Sequence, residues 1–234
     1  MITTAVVPVK QLENAKQRLA ASLTPPERGA FMQAMVEDVL AVLRTSARID
    51  RLLVVTRDPA VSAVARTFDA EIMAEHHDAG LTPAVTAVAQ YLRRAGVDVM
   101  LFVPGDIPLI TTAEIEVVTN GVTPGEAPRF VIVPATDLGG SNCVVCSPPD
   151  CMEFGFGDDS FRRHLRIARS RGIEPVVAKL PGMGLDVDTP ADLKKLVEEL
   201  KGRKTETNTH RFLRDSGIMN RLSEGAVEYG IGYE

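Results

Sequence analysis

The sequence predicts an α/β fold: a mixed, mostly parallel sheet flanked by helices, in one domain. Three observations carry this expectation. Short apolar runs suited to buried strands recur along the chain, the clearest being Val99 to Val103, and such runs suit strands covered on both faces. Amphipathic segments of about 10–15 residues separate them, which implies βαβ units and right-handed crossovers. Proline, glycine and capping residues punctuate the boundaries, as in Pro104-Gly105 after the central run.

Taken in order, Ala5 to Val9 is the first strand. Lys10 to Leu23 follows and carries Lys10, Lys16 and Arg18. Thr24-Pro-Pro-Glu opens a helix, with a cap and prolines in its first turn. Phe31, Met35, Val36, Val39, Leu40 and Leu43 keep helical spacing on one face. Leu52 to Val55 is a second buried strand, Val61 to Phe68 a short helix, and Ile72-Met73 a third strand. His76 to Gly80 is a loop, Leu81 to Ala95 a helix. After the central strand, Thr111 or Thr112 caps a helix; with Thr111, Glu114 completes a capping box. Phe130 to Pro134 and Cys143 to Ser147 are strands that could break the alternation as an antiparallel insertion. A helix from about Asp159 to Arg171, a strand at Pro175 to Ala178 and a helix from Pro190 to about Leu200 follow. The polar stretch after Gly202 is linker-like. His210 to Leu222 reads as one amphipathic helix, weakened by Gly217, and the last residues as extended or disordered. The domain expectation is therefore a body at 1–202 and an extension at 203–234.

Composition narrows the function classes. The chain has 234 residues and a formal net charge of −5, with dispersed Lys and Arg, so no nucleic-acid-binding surface is expected. No apolar run of about 18 residues suggests a membrane span. The N-terminus lacks the features of a signal peptide, and three cysteines are too few for a disulfide framework. These readings point to a reduced, cytoplasmic protein. Cys143 and Cys146 are three apart on a strand, so they face opposite ways and suit a core better than a metal.

Two acidic positions could carry chemistry. Asp106 stands at the carboxyl end of the central strand, where open α/β sheets place their ligands. It reads either as a turn aspartate bonded to its own backbone or as a metal ligand. Asp186 and Asp188 form a D-x-D whose side chains share one side if extended; Asp188 reads as a helix cap or as a second ligand. Hard cations such as Mg²⁺ take carboxylates together with phosphate oxygens. Lys10, Lys16 and Arg18 lie where doubly wound sheets hold phosphates, yet neither G-x-G-x-x-G nor G-x-x-x-x-G-K-[ST] occurs. Charged side chains would have to replace a glycine nest. The loops Gly139-Gly-Ser-Asn142 and Gly155-Phe-Gly-Asp-Asp-Ser160 pair flexible backbone with polar donors, and the second precedes a helix N-terminus. His164 reads as a half-exposed helix residue, and His76-His77 as a solvated loop. No nucleophile elbow is present, so a reaction run by metal and positioned phosphates is expected.

As an ordered set, Val7-Pro-Val-Lys10, Ala15-Lys-Gln-Arg-Leu19, Val55-Thr-Arg-Asp58, Pro104-Gly-Asp-Ile-Pro-Leu109, Phe156-Gly-Asp-Asp-Ser-Phe161 and Leu185-Asp-Val-Asp-Thr-Pro190 resemble the 2-phospho-L-lactate guanylyltransferase family of coenzyme F-420 biosynthesis. The resemblance covers about residues 4–200. It implies a nucleotidyltransferase fold of the glycosyltransferase A type. It also implies an enzyme joining GTP to 2-phospholactate, phosphoenolpyruvate or 3-phosphoglycerate with release of pyrophosphate. By position, Asp106 and Asp188 match the family's Mg²⁺-binding acids, and Lys10, Lys16 and Arg18 its phosphate-contact segment, with Lys10 and Lys16 joining Asp106 as the catalytic set. Ser141, Gly157 and Ser160 match acceptor contacts. Gly80, Leu81 and Thr82 match a segment near the guanine, Thr82 standing where the family has asparagine. Small-molecule substrates are the implied partners, and the extension could serve assembly, for instance a homodimer. The alternatives are a sugar-phosphate or molybdopterin nucleotidyltransferase, or a nucleotide-binding protein without catalysis.

Overall fold

The computed structural model describes residues 1–74, 80–123, 125–203 and 205–224, the side chains of 223 and 224 excepted. His76, His77 and the last ten residues lie outside that set. Seven strands form one sheet: β1 (Thr3–Pro8), β2 (Arg51–Val55), β3 (Glu71–Met73), β4 (Val99–Phe102), β5 (Arg129–Pro134), β6 (Ser141–Ser147) and β7 (Val176–Val177). Their order is β3-β2-β1-β4-β6-β5-β7. β6 runs antiparallel to both β4 and β5, while the other pairings are parallel. The expected insertion is thus a single reversed strand, which brings the start of β6 to the edge where the parallel strands end.

The helices are α1 (Pro25–Thr45), α2 (Pro59–Thr67), α3 (Leu81–Arg94), α4 (Thr112–Thr119), α5 (Ser160–Ser170), the single turn α6 (Pro181–Gly184), α7 (Pro190–Lys201), α8 (Asn208–Asp215) and α9 (Ile218–Glu224). The sheet divides the core in two. On one face Ala5, Val7 and Leu101 pack with α1, α4 and α7; on the other Val6, Met100 and Phe102 pack with α3 and α5. Alternate residues of one strand therefore serve opposite cores. Cys143 and Cys146 follow the same rule, one in each core. No helix among the described residues is long and apolar enough to cross a membrane.

Local chemistry explains the boundaries. Thr111 caps α4: its hydroxyl accepts from the Glu114 amide at 3.2 Å, and Glu114 Oε2 accepts from the Thr111 amide at 3.0 Å. Thr24 begins α1, its amide donating to Glu27 at 2.8 Å. The segment expected as one helix over 210–222 is two, because Gly217 at φ 70° ends α8 and admits a sharp turn before α9.

The residues after 203 dock on the body. Asp38, buried on α1, accepts from the Asn208 and Thr209 amides at 2.7 and 2.9 Å, satisfying the α8 N-terminus. Phe212 stacks on Phe31 at 6.2 Å, and Leu213 and Ile218 are fully buried. Truncating Leu213 to alanine leaves a cavity in this contact, worth about 2–5 kcal/mol. At about 2–4 °C per kcal/mol for a chain of this size, a melting scan should show a clear drop for Leu213→Ala; an unchanged midpoint would mean that α8 adds no stability.

Candidate active site

A cleft of about 900 Å³ opens at the carboxyl ends of β1, β2 and β4. Lys10 and Lys16 reach it from beyond β1, Arg57 from beyond β2, Asp106 from beyond β4, and Asp188 from the segment before α7. Gly80 and Leu81 line it at the start of α3. At its floor the Lys16 ammonium lies 2.5 Å from Asp106 Oδ2 and 2.7 Å from Asp188 Oδ1. The lysine side chain is only 5% exposed, against 22% and 44% for the two acids. Burial by itself would push its pKa down, but the charges of Asp106 and Asp188 and hydrogen bonds to both outweigh it, and the pKa lies above the ordinary lysine value.

Each member is held by a different element. Asp106 follows Gly105, whose missing side chain lets the loop press on α1; a Cβ there would lie 2.9 Å from Val36. The Asp106 carbonyl accepts from the Val187 amide at 3.2 Å, which lays the Leu185–Asp188 strip beside the β4 loop. Val187 and Leu185 are buried, so the intervening acids turn toward the polar side. Glu114 adds a second clasp: besides capping α4, it accepts from the Gly182 amide at 2.7 Å. The approach is so close that a Cβ on Gly182 would meet the Leu109 carbonyl at 2.3 Å.

Thr189 caps α7, accepting from the Asp192 amide at 3.3 Å, and this leaves the Asp188 carboxylate for Lys16. Asp106 is not bonded to its own turn; its Oδ1 is buried with no hydrogen-bond partner. Asp186 accepts from Asn142 at 3.0 Å. Burial pushes its carboxyl up, the Asn142 bond opposes this, and the nearby charges of Asp106 and Asp188 raise it further.

The basic segment has no glycine nest and is pinned by side chains. Asp58 accepts from the Leu12 amide at 2.8 Å while capping α2. Buried Arg28 donates to the carbonyls of Ala15 and Leu23 at 3.3 and 3.1 Å. Lys16 itself takes a left-handed φ of 53°. Lys10 and Arg57 have no ion-pair partner among the described residues, so two free cations stand at the cleft. Arg18 is exposed and lies away from the cleft lining.

The two carboxylates are ligands of the kind a divalent ion such as Mg²⁺ would take. Two hard oxygen ligands converge on one point, and Asp106 Oδ1 remains without a donor. Among the described residues no cluster of three or more His, Cys, Asp or Glu side chains is arranged to hold an ion. Phosphate oxygens and water would therefore complete the shell, as Mg²⁺ prefers.

Ser141, Gly157, Ser160 and Thr82 form a neighbouring group. Ser141 begins β6, and Ser160 begins α5 after the turn at Gly157, φ 107°. None of the four lines the cleft; the Thr82 hydroxyl accepts from the Phe156 amide at 2.9 Å, tying α3 to the turn before α5. His164 corrects the expectation of a half-exposed residue. It is fully buried, with Nδ1 2.9 Å from Ser141 Oγ and Nε2 2.8 Å from the Gly155 amide. A helical position alone could not reveal that Phe130, Phe154 and Phe156 would enclose it. Arg57 stood in the Val55-Thr-Arg-Asp58 motif without a role of its own, and Arg28 was undistinguished by sequence, since a charge on a first helical turn usually faces water.

Among solved structures, a chain from Desulfovibrio desulfuricans G20 is similar over 95% of this chain and 99% of its own, with TM-score 0.76 and 18% identity. Its description proposes a nucleotide-diphospho-sugar transferase. A 4-diphosphocytidyl-2C-methyl-D-erythritol synthase is similar over 83% and 96%, with TM-score 0.58 and 12% identity. The chain shares the nucleotide-diphospho-sugar transferase fold. Sequence takes this further. The family model described as guanylyl transferase CofC like matches residues 3–229. Phosphoenolpyruvate guanylyltransferase of Conexibacter woesei is 38% identical over 95% of this chain and 97% of its own. 2-Phospho-L-lactate guanylyltransferase of Methanothermobacter thermautotrophicus is 31% identical over 97% and 96%. 3-Phospho-D-glycerate guanylyltransferase of Colwellia psychrerythraea is 33% identical over 84% and 91%. The chain belongs to the CofC-like guanylyl transferase family.

Burial, then the charge of Arg163, lowers the His164 pKa to about 4, against about 6.5 in an unfolded chain. As pH falls, the unfolded state takes the proton first. The stabilising contribution is therefore fully present above about 6.5 and is lost as pH falls to about 4, on the order of 3 kcal/mol in all. Melting curves of the wild type and His164→Phe should converge over that window; a constant difference would contradict the buried neutral ring.

Proposed function

We propose that the protein joins GTP to a phosphorylated three-carbon acid and releases pyrophosphate, as a step of coenzyme F-420 biosynthesis in the cytoplasm. The observation that carries this reading is the pairing of Asp106 and Asp188 around one buried cation, at the floor of a cleft with two unpaired cations at its mouth. Phosphoenolpyruvate is the first acceptor to test, because the Conexibacter relative that bears its name is 38% identical; 2-phospho-L-lactate and 3-phosphoglycerate follow.

In the reaction, an oxygen of the acceptor's phosphate attacks the α-phosphorus of GTP. The new P–O bond forms as the bond to the β-phosphate oxygen breaks, and pyrophosphate leaves with the electron pair. A phosphate monoester is largely ionised near pH 7, so no strong protein base is required. Asp106 and Asp188 would hold Mg²⁺, which supplies charge neutralisation at the α-phosphate and the leaving group. Lys16 is within reach of any phosphate bound beside those carboxylates. Lys10 and Arg57 are placed to bind the outer phosphates, Arg57 with a fork suited to two oxygens. Gly80 and Leu81 offer backbone groups to the base at the first turn of α3.

Asp106→Asn keeps the shape and an acceptor for Lys16 but removes a charge. Loss of several kcal/mol of metal-supplied stabilisation lowers kcat by on the order of 10²-fold or more, with the melting point near wild type; normal turnover would remove Asp106 from the mechanism. Arg57→Ala should raise the KM for GTP by about tenfold, the value of one charge-assisted contact, and leave the fold intact because the residue is exposed. A pyrophosphate-release screen of four nucleotides against the three phospho-acids tests the function itself. Silence with every pair would favour a binding protein.

A further inference from the structure

We propose that His164 is a positioning residue for the acceptor: its neutral ring fixes the Ser141 loop and the Gly155–Asp159 turn together and commits the Ser141 hydroxyl to donating. This rests on the reading that a phospho-acid binds beside Ser141, Gly157 and Ser160.

The direction of the hydrogen bonds follows from elementary chemistry. The Gly155 amide can only donate, and it lies 2.8 Å from His164 Nε2. Nε2 must then carry the lone pair, and in a neutral imidazole the single proton sits on Nδ1. Nδ1, 2.9 Å from Ser141 Oγ, is therefore the donor. A serine hydroxyl can usually donate or accept. Here one lone pair is engaged by the ring, and the O–H is left to donate. A phospho-acid with ionised phosphate and carboxylate presents acceptors only, so a hydroxyl so committed suits it.

The ring has little freedom to do otherwise. It is fully buried, with Phe156 edge-on at 4.9 Å and Phe130 and Phe154 at 6.3 and 6.4 Å. The turn it holds is also bound by Arg163, which donates to the Gly155 carbonyl at 3.2 Å and the Asp158 carbonyl at 3.0 Å, and by Thr82 through the Phe156 amide. Two of these anchors, His164 and Arg163, come from α5, and Thr82 comes from the helix that starts at the nucleotide cleft. Of the three, His164 is the one whose side chain bonds Ser141 on β6, and it joins the two loops beside the backbone bond from the Phe161 amide to the Gly139 carbonyl at 3.3 Å.

The experiment compares His164→Phe, which refills the aromatic cage without either bond, with Ser141→Ala and the double variant. The expected result is a KM for the phospho-acid raised about tenfold in each single variant. The KM for GTP should stay within about twofold, and the double variant should be no worse than either single, because neighbours sharing one interaction are non-additive. His164→Asn, which keeps an N–H on the Nδ1 side, should recover part of the loss. An unshifted acceptor KM, an equal rise for GTP, or multiplying effects would overturn the proposal. Should His164→Phe fail to melt cooperatively, His164→Leu bears the same comparison. Nitrogen-15 spectra of the wild-type imidazole give an independent reading: a proton on Nδ1 supports the assignment, and a proton on Nε2 overturns it. A wild type silent with every phospho-acid strikes the proposed function and this role together. An active wild type with unshifted variants strikes only the role of His164.

Discussion

One buried ammonium between two carboxylates organises this molecule. Lys16, Asp106 and Asp188 come from the first loop, the central strand's end and the entry to α7. Bringing two acids this close would be unfavourable without a cation between them. The lysine meets that need in the protein as it stands, and Asp106 Oδ1 is buried without a hydrogen-bond partner. A buried charge cluster of this kind gains little net stability after desolvation. Its presence is better understood as a site than as a structural tie.

The rest of the fold can be read as the means of holding that cluster. The parallel strands end on one edge, and β6 reverses so that its first residues meet the same edge. Polar side chains then bind loops to one another across the edge: Glu114 to Gly182, Asn142 to Asp186, Asp58 to Leu12, Arg28 to Ala15. In a phosphate site built on glycine, backbone amides are both scaffold and ligand. Here side chains from neighbouring elements hold the scaffold, which leaves Lys10, Lys16 and Arg57 as the cations nearest the ligand space.

The same logic extends to the acceptor side. His164 and Arg163 occupy adjacent positions on α5, yet both bond the backbone of one turn, and His164 also bonds the Ser141 hydroxyl on β6. That turn carries a φ of 107° at Gly157. Thr82 ties the same turn to α3.

By itself the sequence determined the local rules. Alternating apolar runs and capped helices specified the α/β sheet, Thr111 with Glu114 marked the start of α4, and Pro104-Gly105 left Asp106 at a strand end, because these depend on neighbours within a turn or two. It also supplied the motif set by which the family was legible. Only the tertiary structure decided which acids meet. Lys16 lies 90 positions from Asp106 and 172 from Asp188, and only sheet order together with the bonds that dock the 182–188 segment brings them together. It likewise decided that Thr189 and not Asp188 caps α7, that Gly217 divides the last helix into two, and that His164 is buried. Those outcomes turn on which groups compete for one hydrogen bond or one enclosed space, and that competition exists only once the chain has packed.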